Sequence, residues 1–374
     1  MAKVTRDSRD GRWLARWRDP AGRQRKKSFR RRVDAERFLV ELQAETYRGR
    51  YVDPTAGKLL FRDYADKWLS GLGHLKATTA QRYREVARGY VVAQWGEWPL
   101  ASIARSDVAA WIGELHNRGL SAGTIRKAYL VASLILDAAV ADGRLGRNPA
   151  KGVRLPRQVQ REPHFMTAEQ VGRLVEAAGP HGLGILTLAL TGLRFGEFAA
   201  LRVSRLEVDR SRLYVAEAVT VVASQLVWST PKSHARRHVP VPRSLLPLLV
   251  EACAGREPEE LIFPSQTGGP IRLNNWRRRV FDRSCYDAGL VGFTPHDLRH
   301  TAASLAISVG ANVKAVQRML GHASAAMTLD IYAGLFPDDL DEVGSRLDAL
   351  VPHMCHIRES DPSEEKAADP ENAT

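Results

Sequence analysis

At 374 residues the chain is too long for one ordinary hydrophobic core and predicts two or three domains. Its 44% hydrophobic and 26% charged residues are those of a globular protein. No apolar run approaches the ~18 residues of a membrane span, the first thirty residues are too polar for a secretory signal, and three widely spaced cysteines, Cys253, Cys285 and Cys355, argue against a disulfide framework and for a reducing compartment, so a cytosolic protein with no membrane partner is expected. The net charge of +13 is concentrated: residues 1–32 hold thirteen Lys and Arg against three Asp, and the other 342 residues carry only +3. Such a basic end is the electrostatic footprint of a nucleic-acid contact, against the plainer alternative of a solvated tail.

That end also patterns as folded structure. A first strand is expected near Lys3 to Arg6. In RWLARWR, Trp13, Ala15 and Trp17 fall on one face of a strand, and Arg12, Leu14, Arg16 and Arg18 on the other. Asp19 to Gly22 reads as a turn, Arg23 to Arg30 as the returning strand, and Asp34 to Tyr47 as a helix with Ala35, Phe38, Leu39 and Leu42 at helical spacing. The aromatics are assigned to the core of this small sheet. Its basic residues Arg12, Arg16, Arg18, Arg23, Arg25 and Lys27 have no structural use and are the candidate DNA contacts, since ribbons and sheets enter the major groove.

From Phe61 to Asn148 the pattern is helical throughout. Thr78 and Gln81 have capping-box spacing, Val108, Trp111, Ile112 and Leu115 form one helical face, and Ser121 opens a longer helix that stops at Gly143. Lys76, Arg82, Arg84, Arg126 and Lys127 on this four-helix unit serve either as a phosphate-contacting face or as an ordinary solvated one. Ala150 to Glu162 has no periodicity and reads as an interdomain linker. Thr167 with Gln170 caps the next helix, and strand-like alternation at 206–222 and 226–242 interrupts an otherwise helical domain. Phe336, Leu340, Val343, Leu347 and Leu350 make a final helical stripe that must be buried on something. The acidic run after His356 is expected to be disordered.

Six residues are candidates for chemistry, each against a plainer alternative: an arginine paired with a carboxylate, a solvated turn lysine, a structural histidine and arginine at a helix start, and a tyrosine packed at a helix end. Arg194, in TGLRFGE, lies one turn before Glu197, with which it can pair, and Lys232 lies in a Pro-bearing turn. In TPHDLRHT, Thr294, Pro295 and Asp297 form a helix start, which places His296 and Arg299 three apart near an anion-favouring N-terminus. His322 follows Gly321 at a helix break, and Tyr332 lies ten residues on. A tyrosine near pKa 10 is a poor nucleophile unless cations and a base assist it. Two arginines can grip the non-bridging oxygens of a phosphodiester, His296 can share the tyrosine proton, and Lys232 can protonate a leaving 5′ oxygen. No acidic diad or triad is placed for Mg²⁺, which argues for metal-free chemistry, and no cofactor is expected. The cluster His353, Cys355, His356 runs into the acidic tail and is not taken as a metal site.

The order Arg194, Lys232, His296-x-x-Arg299, His322, Tyr332, with the motifs TGLRFGE, HDLRHT and LGHASAAMTLDIY, resembles the tyrosine recombinase family, also called phage integrases. The resemblance implies an α+β, mainly α, chain: an arm-type DNA-binding domain at 1–55 with a three-stranded sheet and a helix, a SAM-like helical core-binding domain at 56–150, a mixed α/β catalytic domain at 163–350, and a disordered tail at 357–374. It implies that Tyr332 attacks a scissile DNA phosphate to give a 3′-phosphotyrosine, without ATP, that the six residues are catalytic with Glu197 orienting them, and that strand exchange passes through a Holliday junction. The implied partners are double-stranded attachment-site DNA at core and arm sites, a homotetramer joined through the C-terminal helix, a DNA-bending protein and an excisionase. The implied place is the bacterial cytosol, with the nucleoid. A Xer-like resolvase of chromosome dimers, a type IB topoisomerase and a non-catalytic DNA-binding regulator are the competing readings. The basic first domain argues against the resolvase, and the intact six residues argue against the regulator.

Overall fold

A computed structural model of the protein describes residues 2–18, 22–47, 56–158, 164–231, 236–335 and 347, with backbone alone at 45, 46 and 56. The chain is mainly helical with small antiparallel sheets. It divides into two compact units, Met1–Glu162 with Thr220–Val227, and Pro163–Val219 with Trp228–Thr374.

In the first unit, β1 (Lys3–Arg6), β2 (Trp13–Arg18) and β3 (Gln24–Phe29) pair antiparallel in that order. Period-two alternation sends Ala15 and Trp17 to a face closed by α1 (Arg32–Tyr47), where Ala35 and Leu39 complete a small core with Trp13, Phe29 and Phe38. The register sorts the basic candidates. Arg25 lies opposite Trp17 and Lys27 opposite Ala15, so both share the helix-side face. Lys27 Nζ sits 4.5 Å from the Phe38 ring centroid. On the other face Arg16 is flanked by Lys3 on β1 and Lys26 on β3, three cations abreast. Leu14 shares that face yet is buried, between Thr5 and Ser28. The face is therefore not purely cationic, because short neighbours leave room for one apolar side chain.

The same unit holds α2 (Phe61–Ser70), α3 (Ala77–Val86) continuing through a π-helical turn at Ala87–Val92 into α4 (Ala93–Trp95), α5 (Arg105–Asn117) and α6 (Ala122–Ala141). Their core is built on Trp95 and Trp111, whose ring centroids are 4.7 Å apart, with Phe61, Leu115, Ile125 and Ile135 around them. Ser121 caps α6 by accepting from Thr124 N, as its sequence suggests. Thr78 does not cap α3. The helix starts earlier, with Lys76 O already accepting from Thr79 N and Ala80 N, and Gln81 instead donates to Glu85. The stretch expected as a linker is pinned at its start: Tyr129 donates to Ala150 O and Arg126 to Pro156 O, both from α6. Residues 159–162 of it lie outside the described residues.

The second unit opens with α7 (Ala168–Ala177), where Thr167 and Gln170 make the reciprocal capping bonds. Then come α8 (Gly182–Thr191), α9 (Phe195–Phe198), β4 (Leu206–Glu207), β5 (Arg212–Val215) and β8 (Arg237–Pro240); between β5 and β8 in sequence lies the hairpin of β6 (Ala218–Val222) and β7 (Gln225–Ser229), whose residues Thr220–Val227 belong to the first unit. The sheet runs β4-β5-β8, and left-handed Ala223 and Ser224 close the β6–β7 hairpin. The remaining helices are α10 (Leu246–Cys253), α11 (Leu273–Trp276) passing through a π-helical turn at Arg277–Phe281 into α12 (Asp282–Asp287), α13 (Asp297–Ser308), α14 (Val313–Leu320) and α15 (Ala325–Tyr332). The almost wholly apolar α8 is central: Ile185, Leu188 and Ala189 share one core with Leu298, Ala302 and Leu320. Of the expected C-terminal stripe only Leu347 is described, helical and exposed; Phe336, Leu340, Val343 and Leu350 lie outside the described residues, as does the tail.

Candidate active site

The site is assembled around the carbonyl end of α14. A helix ends with four carbonyls that lack intrahelical donors, and a buried end must find others. Here Gly321, left-handed at φ +67, ends the helix, and its N–H with that of His322 returns to Gln317 O. The carbonyls of Met319, Leu320 and Gly321 each receive a guanidinium. Arg237 Nε donates to Met319 O at 3.0 Å, Arg299 Nη2 to Leu320 O at 2.6 Å, and Arg194 Nη2 to Gly321 O at 3.4 Å. Three cations thus meet at the negative end of one helix dipole.

Each is delivered by its own element. Gly192 ends α8 at φ +64, a close approach that excludes any side chain because a Cβ there would lie 2.7 Å from Leu320 Cδ2. Its carbonyl accepts from Arg299 Nη1 at 2.6 Å. Arg194 begins α9, where Glu197 accepts from its backbone N at 3.0 Å and its Nη1 at 3.1 Å. Arg299 comes from the first turn of α13, which starts as Asp297 reaches back to Thr294 N and Oγ1. Arg299 is buried, Arg194 about a quarter exposed at 24%. Burial, then the like charge of Arg194, brings Arg299 down to about 9, still protonated at neutral pH. Burial would raise the Glu197 carboxyl, but its bonds to Arg237 and Arg194 outweigh that and hold it below the usual carboxylate range.

Tyr332 ends α15, which Ser324 caps. Its ring is 1% exposed, and its hydroxyl lies 2.7 Å from His300 Nδ1. Burial pushes the phenol up to about 12, opposed by the charge of Arg299. Burial, then His296, holds the His300 imidazole below its ordinary value, so that it is neutral at pH 7 and can accept a proton. His322 is lowered to about 4 by burial, then by Arg299 and Arg194, and its Nδ1 lies 3.0 Å from Thr328 Oγ1. If that hydroxyl donates, the proton of neutral His322 sits on Nε2, ready to be given to an anion.

The structure therefore brings together Arg194, Glu197, Arg299, His322 and Tyr332. His296 stands one step back: its ring is edge-on to His300 at 5.0 Å, and it is His300 that meets the tyrosine. Lys232 lies outside the described residues. Two residues were missed. His300 is four after His296 on the same helical face, and that spacing is the signal that finds it. Arg237 begins β8, where it and Val239 are buried while His238 and Pro240 are not; strand alternation in RHVP places it inward. The DNA-contact candidates all belong to the first unit. Arg12, Arg16, Arg18, Arg23, Lys76, Arg82 and Lys127 are exposed, Arg25 is half-buried, and Arg126 is committed to Pro156 O. Among the described residues no three His, Cys, Asp or Glu side chains converge as metal ligands, and none of the helices is long and apolar enough to cross a membrane. His353, Cys355 and His356 lie outside the described residues.

Residues 164–338 match the model of the Phage integrase family. A Mycobacterium tuberculosis protein described as a prophage phiRv2 integrase is 28% identical over 343 residues, 87% of this chain and 89% of that protein. The tyrosine recombinase XerC of Xylella fastidiosa is 28% identical over 258 residues, 66% of this chain and 83% of XerC. Among solved structures, the Tn1549 transposon integrase in complex with a circular intermediate DNA has a TM-score of 0.66 at 20% identity, covering 78% of this chain and 100% of that one, a likeness of fold.

Proposed function

This chain belongs to the phage integrase family of tyrosine recombinases, and from that premise we propose that it is a site-specific DNA recombinase that integrates or excises a mobile element. The observation that carries the reading is the Tyr332 hydroxyl on a neutral imidazole, in a unit where Arg194 and Arg299 are two of three guanidiniums that share one helix end. In the proposed step the Tyr332 oxygen attacks the scissile phosphorus. The bond from phosphorus to the 5′ oxygen breaks, leaving a 3′-phosphotyrosine and a free 5′ hydroxyl. The phenol proton passes to His300, which takes the part first expected of His296, and Lys232 returns a proton to the departing oxygen. Arg194, Arg299 and His322 hold the non-bridging oxygens, and Glu197 orients Arg194. A 5′ hydroxyl of the partner duplex reverses the attack, so bond energy is kept and neither ATP nor a metal is needed.

The first unit supports a DNA-binding role. Like charges directly opposite one another across strands are destabilising, so Lys3, Arg16 and Lys26 abreast call for anions, which duplex phosphates supply. We assign 1–55 to arm sites, 56–150 to the core site and 163–350 to catalysis, working as a tetramer on DNA joined through the C-terminal segment, with a bending protein and an excisionase as assistants. The place of action is the chromosome, in the bacterial cytosol. A Xer-like resolvase is the second reading; the prophage integrase matches 87% of this chain against 66% for XerC, which favours the integrase. The test uses nicked suicide duplexes made from the DNA flanking the gene, incubated with wild type and Tyr332→Phe. A protein–DNA adduct with wild type only, on particular duplexes, is expected. Adducts on every duplex would indicate a topoisomerase, and binding without any adduct a regulator.

A further inference from the structure

We propose that Arg237 is a positioning residue that keeps Arg194 available to the phosphate, acting through Glu197 and the carbonyl end of α14. The inference rests on the reading of Arg194 as a phosphate ligand. Glu197 is a buried carboxylate with two claimants. Arg237 takes it with a parallel fork, Nη1 to Oε1 at 2.9 Å and Nη2 to Oε2 at 2.6 Å. Arg194 holds it through one side-chain bond, Nη1 to Oε1 at 3.1 Å, and through its backbone N–H. Paired bonds to a carboxylate are the stronger and more directional arrangement, so Arg237 satisfies the carboxylate and leaves Arg194 loosely held. Arg194 is also the more exposed of the two, at 24% of its side chain against 8%.

Without Arg237 the buried carboxylate would need a partner, and the guanidinium within reach is that of Arg194. Closing a fork on Glu197 would turn Arg194 away from an incoming phosphate and cancel its charge. Arg237 has a second anchor, its Nε on Met319 O at 3.0 Å, and it lies flat against Gly321, where a Cβ would meet its Cδ and Nε at 3.0 Å. It therefore also braces the turn that leads into His322. Charge neutralisation of Glu197 and bracing of this turn are one act, because a single planar group makes all these contacts.

The experiment measures single-turnover adduct formation on the nicked flanking-DNA duplex, with duplex binding and thermal unfolding followed in parallel. Arg237→Lys keeps the charge and loses the fork; it is expected to fold, to bind DNA as wild type does, and to form adduct at least tenfold more slowly. Arg237→Gln should lose on the order of 10² in rate, the scale of one missing transition-state donor. Adding Glu197→Gln removes the competing negative charge and should recover at least tenfold of that loss, which a purely structural role would not do. Wild-type rates in Arg237→Lys, or a double variant no faster than folded Arg237→Gln, would overturn the inference. Should Arg237→Gln unfold, as buried unpaired charges can cause, Arg237→Lys decides alone. An absent wild-type adduct would remove the reading of the site and this inference with it; a wild-type adduct with unaffected Arg237 variants removes the inference alone.

Discussion

Replacing His300 by glutamine separates the two ways in which Tyr332 can lose its proton. With its phenol pushed up to about 12, Tyr332 is ionised in roughly three molecules per 10⁵ at pH 7.5, about a hundredfold fewer than at the ordinary value near 10. Waiting for that fraction is slow, and in the proposed mechanism the neutral imidazole 2.7 Å away removes the wait by taking the proton during attack. General-base assistance of this kind contributes roughly 10² to 10⁴ in rate. Single-turnover adduct formation across pH 5.5 to 9 reads the difference. Wild type should be level above about pH 7 and fall at acid pH as His300, titrating below the ordinary histidine value near 6.5, becomes charged. His300→Gln should be slowed by roughly 10² to 10⁴ at pH 7 and should climb about tenfold per pH unit, since it depends on free phenolate. A variant with the wild-type rate and a level profile would refute the assignment, and a slowed, pH-climbing rate in His296→Gln but not in His300→Gln would return the role to His296.

Three further outcomes follow from the geometry. Gly321→Ala should lower stability by about 1–2 kcal/mol from its left-handed backbone alone, and by more because Arg237 occupies the space, read as a lower urea midpoint. Acidification should destabilise the second unit in a fixed order. His322, lowered to about 4 when folded, contributes stability that is full above the unfolded value near 6.5 and is lost as pH falls towards 4; Glu197, held below the carboxylate range, gives way at lower pH. His322→Asn should therefore flatten the loss of urea midpoint between pH 7 and 5, and an unchanged slope would count against it. Converting Lys3, Arg16 and Lys26 to glutamine should leave unfolding unchanged or improved and should flatten the log-log salt dependence of duplex binding by roughly 0.9 for each phosphate that is no longer neutralised.

Much of this fold is written locally. Trp13-Leu-Ala-Arg-Trp17 announces its strand through alternation, and Ser121 and Thr167 announce their helices through side chains that bond where their spacing says. The failures are equally physical. Thr78 carries the capping pattern, but α3 packs from Ala77 onward, so the cap falls inside the helix. Arg25 and Lys27 read as part of a cationic face; only the β2–β3 register, which pairs them with Trp17 and Ala15, shows that they lie towards α1. Within the site, Arg194, Arg299, His322 and Tyr332 are legible because each sits in a short motif. Arg237 is not, since its meaning depends on a carboxylate 40 residues away and a carbonyl 82 residues away. Sequence spacing carries no trace of such contacts.

Those distant contacts explain how the protein tolerates a cluster of like charges before any DNA arrives. Arg194, Arg237 and Arg299 within one site would repel, and the depression of Arg299, caused after burial chiefly by Arg194, is the mark of that repulsion. Two features offset it. Glu197 supplies one full negative charge, and the terminal carbonyls of α14, each with one arginine, supply the partial negative charge of a helix end. The sum remains positive by more than one charge, and Arg194 is its most exposed member. A phosphodiester carrying a single negative charge fits that surplus, and in the proposed attack by Tyr332 the same surplus faces the second charge that would grow on the phosphate. On that reading the free site carries a positive excess that a bound phosphodiester and its transition state would both draw on, and only the part drawn on more strongly in the transition state would speed the reaction.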